Sequence, residues 1–225
     1  MEKLSSQLLD LLTAFFQTYP PVYFKKGEII LRPDRIPSGV YCIENGYVKV
    51  YFLSEQGDER LHIIYKKEDI FPLIWAFKNT TKEVFYEALT DITLRMVPKE
   101  KFLNFIKQKP LLLLILIERL IDIFDIHVNR VRNLEITSSY PRLISRLLFL
   151  SARFGKKVKN QMIIDLPLTH KEIASSINMT RETVSRECQK LVKKGLIRQK
   201  NHLIIIPDLE KLEKETALHY ERVLI

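Results

Sequence analysis

Leu168–Lys194 reads LTHKEIASSINMTRETVSRECQKLVKK. Its apolar residues Ile173, Ala174, Ile177, Val184 and Leu191 recur at helical spacing on either side of Asn178, which predicts two short helices joined by a tight turn. Thr169 stands three residues before Glu172, the spacing of a capping box, and Thr180 is placed to cap the second helix. Small Ala174 suits a close crossing, and Asn178 suits a turn residue because Asn tolerates positive φ. This is the pattern of a helix-turn-helix.

On the second helix, 180–194, Arg181, Glu182, Ser185 and Arg186 share a face opposite Val184 and Leu191. Arg can bond guanine O6 and N7 in a bidentate way and Glu can accept from cytosine N4, so these four are the candidates for base contacts in a major groove. Thr169, Thr180, Thr183 and Lys190 are the candidates for phosphate contacts, which fix register without reading sequence. The alternative is that Glu182 and Arg186 form only an i,i+4 surface ion pair. Downstream, Leu196–Gln199 and Leu203–Ile206, joined by Lys200-Asn201-His202, read as a β-hairpin wing with cationic edges, and Pro207 opens a final acidic helix.

Charge supports a polyanionic partner for this part of the chain. The 225 residues carry a formal net charge of +9. Residues 1–137 hold 19 Lys+Arg and 18 Asp+Glu, whereas 139–206 hold 14 and 4, a local excess of +10. Cations that neutralise phosphates release counterions, so such a segment favours nucleic acid; a merely solvated face is the alternative.

Upstream the pattern changes. Leu4, Leu8, Leu11, Leu12 and Phe15 predict an amphipathic helix over 4–16. Glu28–Leu31, Val40–Glu44, Tyr47–Leu53, Leu61–Tyr65, Val84–Ala88 and Ile92–Val97 are short β-rich runs separated by turn residues, the spacing of a small antiparallel barrel or jelly roll. Asn45-Gly46 is expected to make a tight hairpin. Pro98 precedes a helix over 99–107, and Pro110 opens a longer one to about Asn133. On it Leu113, Ile117, Leu120, Phe124, His127, Val131 and Leu134 make an a/d seam, widened by Ile121, Ile123 and Ile126, which fits a parallel dimer. A long core helix within one subunit is the alternative. Thr137-Ser138-Ser139-Tyr140-Pro141 breaks it, and the next helix is expected from Pro141 to Phe154, followed by a basic loop at 156–159 and a strand at 162–164.

The fold class expected is therefore α+β: an N-terminal antiparallel β-roll over 1–109, a long dimerisation helix and hinge over 110–137, and a C-terminal winged helix-turn-helix over 138–225. Cys42 and Cys188 lie 146 positions apart and supply neither a metal cluster nor a redox pair, so a reduced, cytoplasmic setting is expected. Glu2, Gln7 and Asp10 interrupt the N-terminal leucines, so no export signal is read, and the apolar run Leu111–Ile117 falls short of the roughly 20 residues of a membrane helix. An enzyme is not expected: His62 has no clustered partner for a metal, and no nucleophile elbow, phosphate loop or paired-carboxylate motif is present.

Over nearly its whole length the chain resembles the CRP/FNR family of bacterial transcription regulators. Leu168–Arg186 carries the match, with Arg181-Glu182-Thr183-Val184-Ser185-Arg186 similar to the family's recognition helix. Lys26-Gly27-Glu28, Ile43-Glu44-Asn45-Gly46-Tyr47-Val48 and Ile70-Phe71-Pro72-Leu73 resemble its cyclic-nucleotide-binding type of roll. The resemblance implies a homodimer on a palindromic operator in double-stranded DNA, an N-terminal sensor, an effect on RNA polymerase, and base contacts from Arg181, Glu182, Ser185 and Arg186. Asn178 stands where the family commonly has Gly.

Cyclic-AMP-binding relatives meet the phosphate with an Arg followed by Ser or Thr and Ala, and use a Gly-Glu pair; here those positions read Tyr86-Glu87-Ala88 and Pro72-Leu73. With no Arg there and Glu87 repelling a phosphate, high-affinity cyclic AMP binding is not expected. An iron–sulfur sensor needs more cysteines than two. The cofactor stays unknown. The effector, a small molecule of unidentified chemistry, is assigned to a pocket near Phe71, Leu73, Tyr86, Ala88 and His127. His62 and His127 are candidate haem ligands or, in the plainer reading, half-buried core histidines. A ligand-binding adaptor whose basic domain contacts RNA or protein is the competing function.

Overall fold

The computed structural model describes residues 2–200 and 203–223, so Asn201 and His202 of the wing turn lie outside the described residues. In chain order the elements are α1 (Glu2–Gln17), β1 (Pro21–Phe24), β2 (Ile29–Leu31), β3 (Val40–Asn45), β4 (Val48–Leu53), β5 (Glu59–Tyr65), β6 (Ile70–Phe71), α2 (Leu73–Lys78), β7 (Phe85–Ala88), β8 (Ile92–Val97), α3 (Lys99–Gln108) and α4 (Leu112–Glu135). There follow α5 (Ser139–Phe154), β9 (Gly155–Val158), β10 (Gln161–Ile164), α6 (His170–Ser176), α7 (Arg181–Lys193), β11 (Arg198–Lys200), β12 (Leu203–Ile206) and α8 (Leu209–Val223). The fold is α+β, and its contacts divide the chain into compact units 1–125 and 126–225, the division falling inside α4.

In the first unit two four-stranded antiparallel sheets, ordered β1-β8-β3-β6 and β2-β7-β4-β5, form the roll. Asn45-Gly46 does not make the expected hairpin. It carries the chain from one sheet to the other, because β3 pairs with β8 and β6 while β4 pairs with β5 and β7. Only Gly46 takes a positive φ, +91°, and a Cβ there would sit 2.6 Å from the Asp91 carbonyl oxygen. The hairpin of this sheet is β4–β5, paired from Val48↔Tyr65 to Leu53↔Glu59 with a one-residue register shift between Val50 and Tyr51. Strands β1 and β6 were not expected from the sequence, being short and flanked by proline.

Helix α1 buries Leu8, Leu12 and Phe16 against Phe102 and Ile106 of α3 and Leu112, Ile115 and Leu116 of α4. Phe16, not Phe15, is the fully buried ring; Phe15 instead stacks on Phe105 at 3.9 Å between centroids. The predicted seam of α4 points elsewhere: Leu113, Ile117, Leu120, Phe124 and Val131 are all exposed, and Phe124 reaches 67%. An α4 apolar on two faces satisfies the roll with one and leaves the other open.

In the second unit α5 supplies Leu143, Ile144, Leu147 and Leu150 to a core shared with Ile173 and Ile177 of α6 and its vicinity and Val184 and Leu191 of α7. Helix α5 begins at Ser139 rather than at the expected Pro141, with Ser138 as its N-cap. Proline is accommodated in that first turn because its missing N–H has no intrahelical partner to lose. Most of the predicted basic loop at 156–159 is strand β9, paired with β10 from Val158↔Gln161 to Gly155↔Ile164. It forms one edge of the sheet β11-β12-β10-β9; exposed Arg198, Gln199 and Lys200 of β11 form the other.

Candidate nucleic-acid interface

Local chemistry fixes both helices of the motif. Thr169 Oγ1 accepts from the Glu172 amide at 3.2 Å while the Glu172 carboxylate accepts from the Thr169 amide at 2.7 Å, the reciprocal capping box. Thr180 Oγ1 accepts from the Thr183 amide at 3.2 Å. Between the helices Asn178 takes φ +51°, and the Met179 amide returns to the Ala174 carbonyl at 3.0 Å.

Helix α7 buries Val184, Cys188 and Leu191, which leaves Arg181, Glu182 and Arg186 exposed and Ser185 partly covered on the opposite side. All four predicted base-contact residues thus lie on its outward side. Arg186 does not pair with Glu182: its guanidinium bonds the neighbouring Glu187 carboxylate at 3.4 Å. Of the phosphate candidates, Thr169, Thr180 and Thr183 sit at the helix starts, their hydroxyls engaged in capping, and Lys190 reaches Glu187 at 2.7 Å.

Beside α7 an open cleft of about 550 Å³ runs between the motif and the wing, bordered by Thr169, His170, Lys171, Arg181, Gln199 and Lys200. His170 Nε2 lies 2.9 Å from the Gln199 side-chain nitrogen. Burial, reinforced by the Arg181 charge, holds the imidazole pKa below its ordinary value, so the ring is neutral at neutral pH. The cleft is cationic and has the mixture of charge and donors that a sugar-phosphate strand needs.

The start of α5 is tied to the motif by residues the sequence did not single out. Arg142 donates to the carbonyls of Ile136 and Ile177, at 2.7 and 3.3 Å, and Asn133 donates to the Arg142 carbonyl at 3.0 Å. Ser139 donates to Glu187 at 3.1 Å. A half-buried Arg142 and a buried Glu187 on otherwise apolar faces were the available signal.

The roll interior holds an aromatic stack. Phe71 lies between Tyr41 and Tyr86, at 5.4 and 5.0 Å between centroids, with Tyr65 at 5.7 Å. Of the residues assigned to an effector pocket, Phe71, Leu73 and Ala88 are buried in the core; Tyr86 borders a cavity of about 40 Å³. His127 belongs to the second unit, where burial and then Arg130 lower its pKa. The cavity has cations that the sequence reading did not find, Arg32, Arg35 and Lys82, beside Trp75. Glu87 is not among its lining residues and pairs with Lys49 at 2.9 Å. His62 packs edge-on to Phe52. Burial pushes the thiols of Cys42 and Cys188 up to about 12, and neither forms a disulfide. Among the described residues no cluster of His, Cys, Asp or Glu could hold a metal ion, and no helix is long and apolar enough to cross a membrane.

A β-roll followed by a winged helix-turn-helix with an exposed cationic reading face defines an effector-controlled DNA-binding regulator. Two family models match this chain, a cyclic nucleotide-binding domain over residues 21–109 and a Crp-like helix-turn-helix domain over 141–215. The chain belongs to the CRP/FNR family of transcription regulators. It is 28% identical over 183 residues to the global nitrogen regulator of Nostoc sp., covering 80% of this chain and 82% of the relative. It is 24% identical over 207 residues to the CRP-like cAMP-activated global transcriptional regulator of Mycobacterium tuberculosis, covering 90% and 91%. A CRP/FNR-family transcriptional regulator from Thermus thermophilus superimposes with a TM-score of 0.63 at 25% identity, covering 88% of this chain and 98% of that one. A CooA variant from Carboxydothermus hydrogenoformans shares the fold with a TM-score of 0.77 at 24% identity, covering 93% and 95%.

Proposed function

We propose that the protein works in the cytoplasm as a homodimer whose two α7 helices read the half-sites of a palindromic operator and whose action passes to RNA polymerase. In this reading residues 1–109 sense, 110–137 dimerise and 138–225 bind DNA. Leu113, Ile117, Leu120, Phe124, His127, Val131 and Leu134 form the seam. Arg181, Glu182, Ser185 and Arg186 meet base edges, while Thr169, Thr180, Thr183 and Lys190 position the backbone. One observation carries it: α7 turns its apolar residues inward and offers Arg181, Glu182 and Arg186 to solvent. Side chains of this chemistry are suited to G·C pairs.

The effector site is assigned to the roll about Tyr86, next to Phe71, Leu73 and Ala88, and Arg32, Arg35 and Lys82 favour an anionic ligand. Cyclic AMP is not that ligand in this reading, because Tyr86-Glu87-Ala88 offers no Arg where cyclic-AMP-binding relatives meet the phosphate. Calorimetry is expected to give no micromolar cyclic AMP binding. The function itself is tested by selecting bound duplexes from a random pool with the purified protein. Recovery of a palindrome supports the proposal; uniform recovery of all sequences would favour the adaptor reading.

A further inference from the structure

Glu187 occupies an inward position of α7, in the row of Val184, Cys188 and Leu191, and is 2% exposed. A carboxylate there costs desolvation energy that an apolar side chain of similar size would avoid. Its surroundings show what the charge holds. Oε1 accepts from Ser139 at 3.1 Å and from Arg186 Nε at 3.4 Å, and Lys190 Nζ stands 2.7 Å from Oε2. The Arg186 and Lys190 side chains remain 63% and 53% exposed, so the acid grips from beneath two cations whose outer surfaces face solvent.

We propose that Glu187 is a positioning residue for DNA reading, presetting the Arg186 guanidinium and the Lys190 ammonium and tying both to Ser139 at the start of α5. A free Arg must lose rotamer freedom to make a bidentate bond to guanine, and one already held in place loses less. Pairing to Glu187 also subtracts one positive charge from the face that any duplex attracts, which weakens sequence-independent binding. Both effects raise the ratio of specific to non-specific affinity. Burial by itself would lift the carboxyl pKa, yet Lys190, Ser139 and Arg186 together bring it below the ordinary value, so the acid stays charged at neutral pH.

The inference rests on α7 being the base-reading helix, and Glu187→Gln in the full-length protein tests it. The substitution keeps the volume and removes the charge. Affinity for the selected operator is expected to fall while affinity for random duplex rises, reducing their ratio roughly three- to tenfold, the ordering cost of one long side chain. Glu187→Asp, which keeps the charge, should retain most of the ratio, and in an Arg186→Ala background Glu187→Gln should change it by a smaller factor, the part carried by Lys190. A purely structural role predicts instead a lower Tm with both affinities reduced alike, and that result, or an unchanged ratio, overturns the inference. Should Glu187→Gln fail to fold, Ser139→Ala must shift the ratio the same way by a smaller factor, and no shift overturns it. A wild-type protein without site preference sinks the reading of α7 itself, whereas a wild-type preference untouched by Glu187→Gln sinks the role of Glu187 alone.

Discussion

In the first unit two charged side chains are buried: Asp69, which accepts from the Lys66 amide at 2.8 Å, and Lys49, its side chain 9% exposed and enclosed by Glu59 at 3.5 Å and Glu87 at 2.9 Å. In the second the buried charge is Glu187, its side chain 3% exposed, with its two cations reaching out to solvent. The roll closes a cation inside an acidic cage, so nothing of it is left for a partner. The second unit reverses the arrangement, hiding the acid and showing the base. One region thereby spends its electrostatics on its own strands, β4, β5 and β7, and the other directs them at a polyanion.

The largest effect is expected where the roll is most closed. Phe71→Ala removes the centre of the aromatic stack and should lower stability by about 3–5 kcal/mol. If the units unfold separately, calorimetry will show only the first unit's transition moving; a matching shift in the second would break the contrast. Next comes the open face of α4. Replacing exposed Phe124 by Asp should weaken the dimer by at least about 2 kcal/mol, read by sedimentation, with little loss in monomer stability. A third effect belongs to α7: Arg181→Ala should cost about 1–3 kcal/mol on the selected operator, relax preference at one base position, and leave the unfolding transitions in place.

The smallest concerns pH. Because the folded His170 pKa lies below its unfolded value, the ring contributes stability above about pH 6.5 that is lost as pH falls below it. Phosphates arriving in the cleft favour the imidazolium, so binding takes up a proton. Operator affinity should therefore rise a few-fold from pH 8 to pH 6, and His170→Ala should flatten the profile. A flat wild-type profile would place His170 away from the DNA.

What the sequence disclosed follows the range of the interactions involved. The caps at Thr169 and Thr180, the turn at Asn178 and the outward row of α7 depend on neighbours three or four residues away, and all were legible. Asn45-Gly46 misled because such a pair signals a backbone angle, not which strand lies alongside; the partner of β4 was decided by sheet packing. Arg32, Arg35 and Lys82 gather round one cavity only after the roll closes, so nothing local marked them. Glu187 looked like one more polar residue on a basic helix until α5 was seen to cover it.

Strand β9 has a consequence for the protein when no DNA is near. Short β9 and short β11 are the two open edges of their sheet, and each carries exposed cations, Lys156 and Lys157 on one and Arg198 and Lys200 on the other. An uncharged edge would offer its unpaired N–H and C=O groups to the same edge of another chain, the first step towards cross-β aggregation. Like charges on both rims make that encounter repulsive. Part of the positive excess in this half of the chain thus serves as a guard against self-association, and removing it to weaken DNA binding should shorten the shelf life of the free protein.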